Sequence, residues 1–164
     1  MDVGRLNDQT VCCVFRVNIT ADGKHHATLV NLYVLGRTAE SKTFYQQAID
    51  LKKIIASFNP LEVVIDTNGL GIGFGEEMTR EQVDVNGVVY PSYGFKNDEN
   101  FQKTQPRDAV CILYGLKANS GNNSQIHGNA YTRLNSGLVR FLIKEQDAKN
   151  ALLATQGGQK MSVT

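Results

Sequence analysis

The chain has 164 residues and a mass of 18.1 kDa, the size of a single domain. Hydrophobic residues make up 41% and charged residues 20%, a globular balance that excludes disorder as the main description. Seventeen basic and sixteen acidic residues leave a net charge of +1, which excludes a uniformly cationic nucleic-acid coat but not a local basic face. The apolar pattern begins at once. Met1 to Arg5 reads as a strand, and Leu6 to Gln9 as the turn that pairs it antiparallel with the next strand, Thr10 to Ile19. In that second strand Val11, Cys13, Phe15 and Val17 share one face while Cys12 and Val14 occupy the other, which predicts a place near the middle of a sheet. Asp22-Gly23 is a turn signal, and His25 to Leu35 follows as a third strand.

The period then changes. Phe44, Ala48, Leu51, Ile55 and Phe58 recur at helical spacing. Thr43 with Gln46 fits a capping box at the start, and Asn59-Pro60 ends the helix. Leu61 to Asp66 is a short buried strand ending on a carboxylate. Thr67 to Gly75 reads as a glycine-rich turn leading to a short helix at Glu76 to Thr79. Asn86-Gly87, flanked by Val83, Val85, Val88 and Tyr90, predicts a hairpin that either gates a groove or forms a sheet edge. Tyr93 to Arg107 is polar and reads as a mobile loop. Ala109 to Leu116 reads as a strand, Asn122 to Leu134 as a helix, Leu138 to Ile143 as a strand and Glu145 to Ala154 as a helix. Both ends look cut, so the chain is expected to be a fragment of a longer protein.

No apolar run approaches the roughly 18 residues of a membrane span, and no signal peptide is visible. Cys12, Cys13 and Cys111 are odd in number and lack CxxC spacing, so neither a disulfide framework nor a zinc site is expected and a reducing, intracellular setting is. Cys12 and Cys13 read as small buried apolar groups, and His25, His26 and His127 as surface residues. Gly69, Gly71, Gly73 and Gly75 alternate, but Phe74 stands where GxGxxG needs glycine. They read as a turn packing a helix closely on the sheet, or as backbone N–H groups that approach a phosphate. No GxxxxGK[ST] motif occurs.

The order of three hairpin-linked strands, a helix and a fourth strand is that of an RNase H-like α/β fold, with a mixed central sheet flanked by helices. In such a sheet the first and fourth strands lie side by side, which predicts that Asp2 faces Asp66. Adjacent carboxylates repel, and a divalent cation relieves the repulsion. Mg²⁺ or Mn²⁺ suits such hard oxygen ligands, and two ions ~3.5–4 Å apart can promote phosphodiester hydrolysis. Asp8, in the turn after the first strand, is placed to assist. Asp66 before Thr67-Asn68-Gly69 also fits a plain turn cap. Asp2 favours the metal reading, because an acid inside an apolar strand is costly to bury without a partner.

The segments MDVGRLNDQT, VVIDTNGLGIG, YGLKAN with NSQIH, and SGLVRFLIKEQDAKNALLATQGGQKMS, in that order, resemble the nuclease domain of phage terminase large subunits. The resemblance implies a divalent-metal endonuclease that cuts concatemeric double-stranded DNA during genome packaging in the host cytoplasm, outside the virion. It implies catalytic roles for Asp2 and Asp66, both as ligands of Mg²⁺ or Mn²⁺, and an assisting role for Asp8. It also implies that the complete protein carries an N-terminal ATPase motor and works with a portal and a small terminase subunit, with no membrane partner. The family's third aspartate would follow GGQKMS and is expected beyond Thr164; Glu145 and Asp147 stand in the wrong motif. Residues 117–164 carry a charge of +4 and residues 1–116 a charge of −3, so the acidic part holds the metal acids and the basic part suits DNA phosphates, or a solvated helix face. Two alternatives stay open: another RNase H-like enzyme such as a Holliday-junction resolvase, and a non-catalytic module that docks DNA or a portal.

Overall fold

A computed structural model describes residues 1–4, 9–36, 43–117 and 119–141. The order is β1 (Thr10–Ile19), β2 (His25–Leu35), α1 (Phe44–Phe58), β3 (Val63–Asp66), α2 (Leu70–Met78), β4 (Gln82–Val83), β5 (Val89–Tyr90), β6 (Tyr93–Phe95), α3 (Glu99–Thr104), β7 (Val110–Leu116), α4 (Ser120–Asn135) and β8 (Val139–Phe141). The fold is α/β with mixed sheets. No helix among the described residues is long and apolar enough to cross a membrane. The chain divides into two units, one formed by Met1–Cys13 with Asn31–Asn129, the other by Val14–Val30 with the chain from Ala130 onward.

The first unit is built on a parallel sheet in the order β3-β7-β6. Val63, Val64, Ile65 and Asp66 of β3 stand opposite Leu113, Tyr114, Gly115 and Leu116 of β7. Ile65 and Leu113 are fully buried while Val64 and Tyr114 are exposed, the alternation that a pleated strand imposes. Helix α1 closes over the core with Ala48, Leu51 and Ile55 on one face. Thr43 caps it by accepting from the Gln46 N–H at 3.2 Å. The Gln46 side chain turns to Asp50 instead, at 3.1 Å, so only half of the expected capping box forms. Asn59 ends α1 in the left-handed region (φ 45°) and donates its N–H to Ile55 O.

Two segments differ from the sequence reading. Tyr93 to Arg107 is not a loop: it supplies β6 and α3. Its apolar residues Tyr93, Phe95 and Phe101 are buried, and the Phe95 and Phe101 rings stack at 4.2 Å. The predicted glycine turn is instead helix α2, which begins at Leu70. Three glycines in nine residues oppose a helix by propensity, so packing of buried Phe74, Gly75 and Met78 stabilises it. The hairpin at Asn86-Gly87 is present. Strands β4 and β5 pair antiparallel, Asp84 Oδ1 accepts from Asn86 and Val88 N–H, and Gly87 takes φ 77°. The turn is closed by Gly87 N–H on Asp84 O, so Val85 and Asn86 are its central residues and Gly87 supplies the left-handed position that follows them.

Strand β1 comes first in a sheet ordered β1-β2-β8, and on its other flank only its start, at Val11, is bridged, to Asp2. In the second unit, β8 joins β2 in parallel register, Ala27 opposite Val139 and Leu29 opposite Phe141. Phe15, Val17 and Ile19 of β1 are exposed there. Cys12 is buried as expected; Cys13 is exposed, against expectation, because it points to the opposite side of the strand. The predicted helix at Glu145 to Ala154, and the end of the strand predicted to reach Ile143, lie outside the described residues.

Candidate metal centre

The two acids stand at the amino-terminal segment and at the end of β3. Met1 N donates to Val64 O at 2.8 Å, and Asp66 N donates to Met1 O at 3.1 Å. Bonds from one residue to the two neighbours of another are the signature of parallel pairing, here Met1 beside Ile65. The next pair in register is Asp2 beside Asp66. Neighbouring strands run about 4.8 Å apart, and paired residues point to the same side. On its other flank Asp2 exchanges two 3.0 Å backbone bonds with Val11. The predicted first strand therefore exists among the described residues as a bridge on each side rather than as a regular strand. Its antiparallel partner is the expected one.

Each acid has a local anchor. Asp66 Oδ1 accepts the Asn68 N–H at 2.9 Å, the turn cap that sequence also allowed, and this fixes the carboxylate's rotation. Thr67 is buried and its N–H donates to Leu116 O at 3.0 Å, which ties the turn to β7. Thr10, also buried, receives the Gly4 N–H at 2.9 Å and bonds the Gln47 side chain of α1, which holds the first segment against the helix. Asp2 is exposed. Water can solvate its carboxylate, contrary to the burial expected from its apolar surroundings, so what favours a metal is the neighbouring carboxylate alone. Asp8 lies outside the described residues. Among the described residues no three His, Cys, Asp or Glu side chains gather into one metal-holding group. His25 and His127 are exposed and His26 is half-buried. Burial raises the Cys12 thiol above its ordinary range, so it stays protonated.

Some of the glycine-rich segment's backbone donors are already taken. Gly71 N–H donates to Asn68 O at 2.9 Å and Ile72 N–H to Gly69 O at 3.2 Å. Two cavities open instead beside α3 and the end of β7, of about 250 and 410 Å³, and both are lined by Asp98, Asn100 and Lys117. Neither is lined by Asp2 or Asp66. Asp98 is buried, caps α3 through the Asn100 N–H at 3.0 Å and meets Lys117 Nζ at 2.7 Å. The Lys117 hydrogen bond holds the Asp98 carboxyl below the usual carboxylate range. This pair was missed in the sequence because Asp98 sits inside the segment read as a loop. Asp98-Glu99, an acceptor before a first-turn acid, was the available helix-start signal. Comparison of the chain with family models, with curated proteins and with solved structures finds no match.

Proposed function

We propose that this chain is the nuclease domain of a phage terminase large subunit, a divalent-metal endonuclease acting on concatemeric double-stranded DNA. The observation that carries the reading is the register that sets Asp2 beside Asp66. An RNase H-like topology is supported by the same bonds: β2 next to β1, β1 bridged to the Asp2 segment, that segment beside β3, and β3 beside β7.

The donor set fits a hard cation that keeps much of its hydration shell. Two carboxylates on neighbouring segments supply oxygen ligands, and water with substrate phosphate completes the set. Asp2 and Asp66 would hold Mg²⁺ or Mn²⁺, which when bound supplies Lewis acidity to the phosphodiester and lowers the pKa of water. The protein's own part is orientation. The Asn68 N–H fixes the rotation of the Asp66 carboxylate, and the paired backbones on both flanks fix Asp2. Contacts from basic residues to phosphates would be independent of base sequence, as cutting during packaging requires. The motor, portal and small-subunit partners belong to the same proposal.

Calorimetric titration with Mn²⁺ tests the site. Asp2→Ala and Asp66→Ala should each abolish binding and leave the melting temperature within a few degrees, since neither side chain lies in the buried core. A chain extended past Thr164 should cut linear duplex, and both variants should abolish the cutting. Preference for a four-way junction would favour a resolvase. Absence of Mn²⁺ binding would favour a docking module. Unchanged metal binding in both variants would sink the assignment.

A further inference from the structure

The geometry points to Gly71 as a positioning residue for Asp66, an inference that rests on the metal reading of the Asp2–Asp66 pair. Strand β3 ends at Asp66, and the chain turns over Thr67-Asn68-Gly69 into α2. A Cβ built on Gly71 would lie 1.8 Å from the Asp66 carbonyl oxygen and 2.8 Å from its carbonyl carbon. Real Cβ atoms essentially never come within 3.0 Å of another heavy atom in this way. The obstacle is main chain, so it cannot swing aside as a side chain can.

The other glycines of the segment behave differently. Gly69 faces open space, though at φ 51°. A Cβ at Gly73 would meet only the edge of the Phe44 ring, at 3.3 Å. A Cβ at Gly75 would meet the Phe101 ring at 2.8 Å. Gly71 alone presses on backbone, and that backbone belongs to a proposed metal ligand. Its missing side chain lets α2 lie directly on the end of β3.

The consequence reaches the carboxylate through short links. Asp66 N–H is bonded to Met1 O, Asp66 Oδ1 to the Asn68 N–H, and Thr67 N–H to Leu116 O. A side chain at 71 must push the Asp66 carbonyl away or lift α2, and either movement shifts the turn that orients the carboxylate. Asp2 would not follow, because its backbone is held by Val11 on the far side. Gly71 thereby sets the separation of the two acids, on which affinity for a small, geometrically demanding cation depends. Residues that orient ligands without touching the ion commonly change affinity by about 10–100-fold when altered.

The test compares Gly71→Ala with Gly73→Ala by Mn²⁺ calorimetry at 10 °C, with circular dichroism confirming the fold of each. Gly71→Ala should weaken Mn²⁺ binding by about tenfold or more, and Gly73→Ala should leave it within about twofold. A folded Gly71→Ala chain with wild-type affinity would overturn the inference while leaving the metal reading intact. A Gly71→Ala chain that is unfolded at 10 °C would also overturn it, since the glycine would then hold the domain rather than the site. Wild-type protein that binds no Mn²⁺ would remove the metal reading itself, and the inference with it.

Discussion

Lys52 is wholly buried in α1, an unusual place for an ammonium. Its Nζ donates to the Arg80 carbonyl, and it lies 5.9 Å from the centre of the Tyr93 ring. Arg80 follows Thr79, the C-terminal cap of α2, so the cation stands at the negative end of that helix, whose own last turn has no basic residue. Burial lowers the Lys52 pKa to about 8, against the opposing pull of Glu77 and Glu81. Replacing Lys52 by methionine keeps most of the stem and removes the donor. Leaving the Arg80 carbonyl without it costs about 1–3 kcal/mol, and this loss is offset at neutral pH because the variant no longer buries a charge.

The two effects separate with pH. An unfolded lysine titrates near ~10.4. Between about 8 and that value the unfolded chain holds a proton that folded Lys52 has released. Wild-type stability therefore rises across this window, with a slope of at most about 1.4 kcal/mol per pH unit for one proton. Lys52→Met lacks that rise. Urea unfolding of both proteins at pH 7, 8, 9 and 10 should give a stability difference that is smallest at pH 7 and widens steadily above pH 8. A difference that stays constant from pH 7 to pH 10 would refute the assignment of a buried, easily deprotonated lysine.

Two further outcomes follow from the packing around α3. Gly75→Ala would bring a Cβ to 2.8 Å from Phe101 Cζ and 3.2 Å from Phe95 Cζ, so it should destabilise by about 1–3 kcal/mol despite alanine's better helix propensity. Phe101→Leu in the same chain should recover part of that loss in a double-mutant cycle, and strict additivity would show that the rings are not the obstacle. Asp98→Asn keeps an acceptor for the Asn100 N–H but removes the ion pair with Lys117. Because the folded carboxyl titrates below its unfolded value of ~3.9, its contribution is present above that pH and is lost as pH falls through the folded pKa. Thermal melts from pH 6 to pH 2 should therefore fall more steeply for wild type than for the variant below about pH 4; parallel curves would exclude this carboxylate as a source of acid sensitivity.

What the sequence revealed depended on whether an element's cause was local. Helix α1 carries its own explanation in the spacing of Ala48, Leu51 and Ile55 and in its end signals at Thr43 and Asn59. The β4–β5 hairpin likewise needs only Gly87 and the Asp84 side chain. Strand β6 is three residues long, and its burial comes from β7, whose register with it, Tyr93 opposite Val110, spans seventeen positions. Helix α2 reads as a turn because glycine is a poor helix former, and only contact with β3 and α3 explains why glycine is needed there. Asp66 was visible as a candidate because a short apolar strand ends on it. Asp2 was a candidate on two grounds: lateral pairing with the strand that ends on Asp66, which the backbone bonds repeat, and burial, which its exposure removes.

That register bears on the proposal that the pair acts together and not as two separate surface acids. Asp2 and Asp66 are 64 positions apart, and nothing local draws them together. What does so is hydrogen bonding of the intervening main chain: Met1 pairs with both neighbours of Ile65, and Ile65 is among the most buried residues of the core. A slip of one residue in a pleated pairing would turn Asp2 to the opposite face from Asp66. Exposure of Asp2 and burial of Ile65 oppose such a slip, because it would exchange a solvated acid with an apolar face. Core packing at Ile65 and the rotation of the Asp66 carboxylate are thus linked through a single strand end. Residues that carry no charge of their own, Ile65 on one side and Gly71 on the other, are the places where changes should alter the pair without altering its charge.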